Sequence, residues 1–136
     1  MCIYYHFWTS SFLSWLTYYR YLGQLNVKDE YDLSSKIYPF DESSSGLSGH
    51  GKTIHHNAKD IAEQIDIALS NTKAKKFKIW YLHAPDRSVD YLETLKALDE
   101  QHKLGKFDIL GLSNYPSYEV SFNKKILHLK IYITNR

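Results

Sequence analysis

Polar side chains able to do chemistry follow three apolar segments in the middle of the chain. Lys36 lies near the end of the first segment, and His83 directly follows the second. A hydroxyl and an amide, on Ser113 and Asn114, close the third. Parallel strands bring their carboxyl ends to one edge of a sheet, where α/β folds build their ligand sites. We therefore expect Lys36, His83 and Asn114 to lie within one ligand-sized region at such an edge.

Lys36 and His83 could each take part in chemistry at such an edge, but each also has an ordinary structural interpretation. The ammonium of Lys36 can lower the pKa of a neighbouring phenol or hold a phosphate, whereas most lysines are simply solvated at the surface. The imidazole of His83, partly dehydrated after an apolar strand, can donate a hydrogen bond to a substrate carbonyl. An isolated histidine in this position is more often a satisfied core residue. Asp86 is either the partner of His83 or a loop residue.

Ser113 and Asn114 place a hydroxyl beside an amide at the end of a predicted strand. An amide there can bind the complementary edge of a carboxamide. The alternative is structural, because asparagine readily adopts the left-handed conformation in a turn, here before Tyr115 and Pro116. The sequence leaves both interpretations open.

The elements that must position these residues alternate between strand and helix patterns. Predicted strands cover 32–37, 77–82 and 107–112, where apolar residues alternate or run continuously. Predicted helices cover 58–71 and 89–104, where apolar residues recur every three or four positions. Strands separated by helices of this length form right-handed crossovers. The predicted fold class is therefore α/β, with a parallel sheet and both helices packed on one side.

Local signals mark the ends of both predicted helices. Asn57 is expected to cap the first helix, with Asp60 at its third position. Ser88 is expected to cap the second, and Gly105 to end it. The buried stripe of the second helix is predicted to consist of Leu92, Leu95 and Leu98.

Composition places the chain among single-domain globular proteins. With 136 residues it forms one domain at most and is long enough to bury a core. A hydrophobic fraction of 43%, a charged fraction of 24% and a formal charge of +2 are ordinary, so nothing indicates a nucleic-acid partner. A lone cysteine, Cys2, excludes an internal disulfide and favours a reducing compartment, which we expect to be the cytoplasm.

Residues 1–20 differ in composition from the rest of the chain. Nine aromatic residues but a single formal charge, on Arg20, occur in the stretch up to Tyr21. The stretch lacks the basic start, aliphatic run and cleavage site of a secretory signal, and polar residues interrupt it too often for a spanning helix. An aromatic anchor at a membrane surface is an alternative, but no basic face accompanies it. We interpret 1–20 as an atypical segment and do not expect membrane binding.

Two further patterns contain residue types that bind phosphate or metal, but the sequence around them does not support such a site. Gly46–Thr53 matches the phosphate-loop pattern G-x-x-x-x-G-K-T, but the strand before it is predicted to end too early and the helix after it to begin too late. Nucleotide binding there is a less favoured alternative. His50, His55, His56 and His83 lack the spacing of a zinc site, so we expect no bound metal.

Lys36 and two longer motifs resemble the aldo-keto reductases, most closely the aflatoxin-aldehyde-reductase-like branch. The motifs are Tyr-Leu-His-Ala-Pro-Asp at 81–86 and Gly-Leu-Ser-Asn-Tyr at 111–115. The similarity extends over residues 21–120. The resemblance implies a (β/α)8 (TIM) barrel that uses NADPH to reduce small aldehydes and ketones.

By that resemblance the site residues acquire specific roles. Lys36 would be the catalytic lysine and His83 the catalytic histidine, while Ser113 and Asn114 would bind the carboxamide of the nicotinamide. The family also has a proton-donating Tyr and an Asp that supports the lysine, both upstream of the lysine strand. The sequence departs from this pattern, because no Asp precedes Asp29 and the surrounding Asp-Thr-Ala…Tyr pattern is not found.

The length of the chain predicts a fragment of such a barrel. A complete (β/α)8 barrel needs about 250 residues, so residues 21–120 correspond to about three central βα units. Residues 121–136 form an atypical tail, which resembles a strand but is not preceded by a helix pattern. We therefore expect an NADPH-dependent oxidoreductase domain that is inactive in this truncated chain. The alternative is a non-catalytic remnant that associates with another chain or a membrane surface, and open sheet edges would favour self-association.

Overall fold

The computed structural model describes residues 32–40, 53–119 and 131–134, together with Gln24. Strands and helices alternate along these residues in the predicted order. The elements are β1 (Ser34–Ile37), α1 (Ala58–Thr72), β2 (Phe77–Leu82), α2 (Tyr91–Lys103), β3 (Phe107–Ser113) and β4 (Ile131–Thr134). Neither α1 nor α2 is long and apolar enough to cross a membrane, and the described part of the chain holds no other helix that is.

The four strands form one parallel sheet in the order β1-β2-β3-β4. Lys36 pairs with Tyr81, and Tyr81 pairs with Gly111, so equivalent positions of neighbouring strands lie side by side. The predicted parallel arrangement of the first three strands is confirmed.

β4 is a strand that the sequence analysis did not place in the sheet. It pairs with β3 in parallel from Leu110 to Ser113. Its apolar alternation is the signal for it, whereas the connection through 121–130 lies outside the described residues. The expectation of three strands is therefore too low by one.

The sheet and both helices bury a single apolar cluster. The strands contribute Ile37, Phe77, Trp80, Leu82, Phe107, Leu110 and Leu112. Helix α1 adds Ile61 and Ile65, and helix α2 adds Leu95 and Leu98. Leu92 is 45% exposed, so its place in the predicted stripe is wrong. It lies in the first turn of α2, whose buried face is completed instead by Thr94, Ala97 and Gln101.

The helix ends follow local side-chain chemistry with one correction. The Asn57 side chain accepts a hydrogen bond from the backbone N–H of Asp60 at 2.8 Å, so the predicted cap of α1 is confirmed. At α2 the cap is Asp90 rather than Ser88, and its carboxylate accepts from the N–H of Leu92 at 2.8 Å. Gly105 follows the end of α2 with φ at 74°, the left-handed conformation that favours glycine there.

Candidate functional site

The carboxyl ends of β1, β2 and β3 carry the polar residues singled out in the sequence. Lys36 is the penultimate residue of β1, His83 directly follows β2, and Ser113 ends β3 with Asn114 next to it. Because Lys36 is in register with Tyr81 and side chains two residues apart share a face, His83 lies on the same face as Lys36. The structure thus brings these residues to one edge, and their roles stay predictions.

His83 is held from both neighbouring strands. Its backbone N–H donates to the carbonyl oxygen of Ile37 at 2.9 Å. Its own carbonyl oxygen accepts a hydrogen bond from Asn114 Nδ2 at 2.6 Å. The ring of Tyr38 lies beside the imidazole, with the ring centroids 5.4 Å apart. The backbone of His83 is therefore fixed on two sides, and its imidazole is flanked by an aromatic ring.

Burial changes the protonation of both basic groups at this edge. The pKa of the half-buried His83 is lowered, first by burial and then by the charge of Lys36. Burial also lowers the pKa of Lys36. The imidazole is therefore neutral around neutral pH, where it donates through one ring nitrogen and accepts through the other. A neutral donor beside a cation suits a site where negative charge develops on an oxygen.

Asn114 has the backbone conformation of a turn, with φ at 61°. Its side-chain nitrogen donates to the carbonyl oxygen of His83 at 2.6 Å and lies 3.2 Å from Ser113 Oγ. Asn114 therefore has a structural role in the turn, because its side chain links the end of β3 to the end of β2. Its exposed amide oxygen remains the group that can meet an N–H of a ligand.

Tyr81 is a residue of this face that the sequence analysis missed. Its ring lies directly over Gly111 of the neighbouring strand, where an added Cβ would come within 2.1 Å of Tyr81 Cδ1. Only glycine leaves room for the ring at that position. Because alternate residues of a strand share a face, the place of Tyr81 two residues before His83 is the signal that could have identified it.

Asp86 is a loop residue and not the partner of His83. Its carboxylate accepts hydrogen bonds from the backbone N–H of His56 at 2.9 Å and from Ser88 Oγ at 2.6 Å. It also lies 3.2 Å from His55 Nδ1. Burial would raise the pKa of Asp86, but the hydrogen bonds from Ser88, His56 and His55 outweigh it and lower the pKa to about 2. The carboxylate is therefore committed to the residues that precede α1.

His55, Ser88 and Asp86 have the residue types of a nucleophilic triad without its geometry. Ser88 Oγ and Asp86 Oδ2 approach the same ring nitrogen, His55 Nδ1, at 3.0 Å and 3.2 Å. A catalytic triad needs one ring nitrogen for the nucleophile and the other for the carboxylate. The cluster therefore fastens two loops together and does not activate Ser88.

His56 is the most deeply buried titratable group next to this cluster. Its exposure is 1%, and burial lowers its pKa to about 4, against the opposing charge of Asp86. The hydroxyl of Thr94 donates to its backbone carbonyl at 2.9 Å. The residues before α1 are therefore attached to α2 as well as to Asp86.

Of the other histidines considered as metal ligands, the two in the described part of the chain, His55 and His56, do not lie at His83. His55 and His56 lie at the Asp86 carboxylate, and within the described ranges no three potential metal ligands of the His, Cys, Asp or Glu type form a cluster. His50 lies outside the described residues, as does the phosphate-loop-like segment Gly46–Thr53 apart from Thr53. Segment 1–20 also lies outside them, so its interpretation as atypical stays a prediction.

A cleft of about 410 Å³ lies between the loop after β2 and the turn after β3. Its lining includes Pro85, Arg87, Tyr118 and Glu119. Arg87 forms an ion pair with Glu119. None of the four predicted site residues lines this cleft, so it is separate from the edge at Lys36 and His83.

Comparison with known proteins assigns most of the chain to one family. The model of the aldo/keto reductase family matches residues 20–131. This range contains β1, β2, β3 and both helices, and it reaches the first residue of β4. The matched region therefore includes all four predicted site residues.

The similar curated proteins are much longer than the region they share with this chain. Aflatoxin B1 aldehyde reductase member 2 of Mus musculus is 44% identical over 71 residues, which cover 52% of this chain and 19% of that protein. Aflatoxin B1 aldehyde reductase member 4 of Homo sapiens is 41% identical over 61 residues, which cover 45% of this chain and 18% of that protein. The matched part of the chain thus spans about a fifth of the length of these relatives.

Solved structures share the fold. A thermostable aldo-keto reductase in complex with the inhibitor epalrestat superposes with a TM-score of 0.69 at 17% identity, covering 87% of this chain and 39% of that one. At that identity the likeness shows the fold alone. The predicted fold class, an α/β partial (β/α)8 barrel with a parallel sheet, is confirmed.

Proposed function

Because the chain belongs to the aldo/keto reductase family, we propose that the edge at Lys36 and His83 is part of a site that reduces small aldehydes and ketones with NADPH. The observation that carries the proposal is the His83 imidazole, whose pKa is lowered by burial and by Lys36 at the carboxyl edge of a parallel sheet. In (β/α)8 barrels this edge is where active sites lie.

Lys36 and His83 act on the oxygen of the substrate in this proposal. The neutral imidazole of His83 donates an N–H to the carbonyl oxygen. The ammonium of Lys36, on the same face of the sheet, places a positive charge near that oxygen. During reduction the oxygen gains negative charge, so both groups stabilise the transition state more than the ground state.

Ser113 and Asn114 are the residues that we propose to hold the carboxamide of NADPH, which supplies the hydride when bound. A carboxamide offers one acceptor and two donors. The exposed amide oxygen of Asn114 and the hydroxyl of Ser113 fit those groups, because the first accepts and the second both donates and accepts. Asn114 is fixed by its hydrogen bond to the carbonyl of His83 at 2.6 Å, which holds its side chain in place for the cofactor.

We also propose that this chain turns over little substrate on its own. The sequence lacks the family's Asp-Thr-Ala…Tyr pattern. Loss of a general acid costs about 10²–10⁴-fold in rate. Lys36 and His83 can polarise a carbonyl without that acid, but the proton that the product alkoxide requires would have to come from solvent.

The test measures binding and turnover separately on the full chain. NADPH is titrated while backbone and side-chain NMR signals are followed, and reduction of 4-nitrobenzaldehyde is assayed in parallel. We expect weak binding with shift changes concentrated at His83, Ser113 and Asn114, no change at His102, and little or no turnover. Shift changes that are absent or evenly spread would contradict the site, and micromolar binding with clear turnover would contradict the inactivity.

A non-catalytic association with another chain is the second candidate. β1 and β4 are the outermost strands of the described sheet, and outer strands readily pair with a strand of another chain. A formal charge of +2 provides little repulsion between copies. Size-exclusion chromatography with a thermal unfolding scan tests this candidate. Oligomers or aggregates support it, whereas a monodisperse monomer with a cooperative transition contradicts it.

A further inference from the structure

The cleft between the loop after β2 and the turn after β3 contains groups that the proposed reduction does not use. Arg87 and Glu119 line it and form an ion pair with each other. Pro85, Tyr91 and Tyr118 give the rest of its wall an apolar and aromatic character. A volume of about 410 Å³ is within the range of sites that hold small organic molecules. The cleft therefore combines an ion pair with aromatic surface in a space of ligand size.

The carboxylate of Glu119 is only half satisfied by its partner. Arg87 Nη1 donates a hydrogen bond to Glu119 Oε1. The second oxygen, Oε2, is buried and has no hydrogen-bond partner within the described part of the chain. A buried carboxylate oxygen without a donor is costly. A planar group with two parallel N–H donors could bind both oxygens at once, which this ion pair does not do.

The two members of the ion pair differ in their freedom to move. The side chain of Glu119 is only 11% exposed, and its backbone N–H donates to the carbonyl of Pro116 at 3.0 Å. The side chain of Arg87 is 64% exposed, so it can turn into solvent at little cost. Another cation can therefore replace Arg87 at the carboxylate, whereas Glu119 stays in place.

The charges and rings of the cleft favour a flat cation as its ligand. Asp86 also lines the cleft, and its carboxylate stays ionised because hydrogen bonds lower its pKa to about 2. Two carboxylates thus face one guanidinium, and a positive ligand balances the excess charge. Tyrosine rings attract cations and pack against flat groups. The ring of Tyr91 is supported from behind by that of Tyr115, with the centroids 6.5 Å apart.

We propose that this cleft binds a small aromatic cation of the amidine type, which displaces Arg87 from Glu119. The two N–H groups of the amidinium contact both carboxylate oxygens of Glu119 once Arg87 has turned into solvent. The aromatic ring of the ligand packs against Tyr91 and Tyr118. Arg87 is then an internal competitor of the ligand. The site goes beyond the proposed reduction and does not rest on it, because it contains neither Lys36 nor His83.

The first experiment compares three ligands of the same shape and different charge on the full chain, without NADPH. Benzamidine, neutral benzamide and negative benzoate are titrated while backbone NMR signals are followed. We expect saturable shift changes with benzamidine at Val89, Tyr118 and Glu119, and none at His102 near the other end of α2. Benzamide should bind about tenfold more weakly, and benzoate more weakly still. Equal binding of benzamidine and benzamide, or no saturable binding of benzamidine, would overturn the proposal.

The second experiment uses variants whose expected effects have opposite signs. Glu119→Gln keeps the size of the side chain but removes its charge, so the affinity for benzamidine should fall about tenfold. Arg87→Gln removes the internal competitor and should raise the affinity several-fold. The control Lys103→Gln removes an exposed cation of α2 and should change nothing.

Either variant can contradict the assignment. An unchanged affinity in Glu119→Gln would overturn the site, and a lower affinity in Arg87→Gln would overturn the displacement. Thermal unfolding shows whether each variant is folded, and if one is not, the three ligands on the unmodified chain decide the matter. Because NADPH is absent throughout, failure of the proposed reductase function does not affect either experiment.

Discussion

Two neighbouring regions of the molecule use histidine and short polar side chains in opposite ways. The first is the strand-end edge, formed by Lys36, His83, Ser113 and Asn114. The second is the Asp86 junction, formed by Asp86 with His55, His56 and Ser88. At the edge, half-buried basic groups have lowered pKa values because burial disfavours their charge. At the junction, hydrogen bonds hold the pKa of a buried carboxyl at about 2.

The difference shows what separates a structural cluster from a reactive one. The Asp86 carboxylate, with a side-chain exposure of 6%, accepts hydrogen bonds from several donors, and such a satisfied buried charge fixes the backbone around it. At the edge, hydrogen bonds to Ile37 and Asn114 fix the backbone of His83, and among the described residues no hydrogen bond to its imidazole is found. At the strand-end edge, burial and a neighbouring charge rather than hydrogen bonds therefore set the pKa values.

Removing the carboxylate of Asp86 should have the largest effect on stability. Asp86→Ala leaves the N–H groups of His56 and Ser88 without their acceptor. Hydrogen bonds to a charged group contribute about 1.5–3 kcal/mol, so we expect the free energy of unfolding to fall by about 3 kcal/mol. Urea unfolding measures it. The control Asp99→Ala removes an exposed pair with Lys103 and should cost much less. Equal losses would contradict the role of the junction.

Acid should weaken the same junction through His56. Its pKa is lowered from 6.5 to about 4 in the folded protein. Between those values the unfolded chain binds more protons than the folded one, so stability falls as the pH decreases from 6.5 towards 4. The loss should approach about 3 kcal/mol. Urea unfolding at several pH values measures it, and His56→Gln should flatten the dependence in this window. A variant with the same slope as the wild type would contradict this origin.

Filling the space under the ring of Tyr81 tests the packing of β2 against β3 beside the strand-end edge. Gly111→Ala places a Cβ within 2.1 Å of Tyr81 Cδ1, and overpacking of this kind costs about 2 kcal/mol. Tyr81→Ala in the same chain should remove most of that cost, which a double-mutant cycle measures. Gly105→Ala is the control, because its cost of about 1 kcal/mol arises from the positive φ of 74° and no neighbouring atom lies within 4 Å. A rescue of Gly105→Ala by Tyr81→Ala would contradict the steric explanation.

The smallest expected effect concerns the link between the ends of β2 and β3. Asn114→Ala loses the hydrogen bond to the carbonyl of His83 and places alanine at φ 61°. Asn114→Gly loses the same bond but tolerates the backbone conformation. We expect the glycine variant to lose about 1 kcal/mol of unfolding free energy, and the alanine variant somewhat more. If neither variant differs from the wild type in thermal unfolding, the link contributes nothing.

Sequence patterns predicted the parts of the fold that depend on neighbouring residues. The three central strands follow from their apolar runs, and the Asn57 cap follows from its spacing to Asp60. The prediction that Ser88 caps α2 is wrong, because the cap is Asp90. The hydroxyl of Ser88 instead donates to the carboxylate of Asp86, two residues earlier, at 2.6 Å.

Contacts between distant residues could not be predicted in the same way. Asp86 binds His55 and His56 about thirty positions earlier in the chain, and this pairing depends on how the residues before α1 pack on the loop after β2. The contact of Tyr81 with Gly111 likewise depends on the register of two strands. The edge position of Lys36 and His83 could be predicted, because parallel order alone puts all strand ends on one side.

The pKa of His83 tests the central claim, that Lys36 and His83 act on each other at one edge, most directly. NMR titration of the imidazole should give a value below 6.5 in the wild type, lowered by burial and by the charge of Lys36. Lys36→Gln removes that charge and should raise the pKa of His83, while Lys96→Gln, which removes an exposed lysine of α2, should leave it unchanged. An ordinary pKa in the wild type, or the same pKa in all three proteins, would contradict the account.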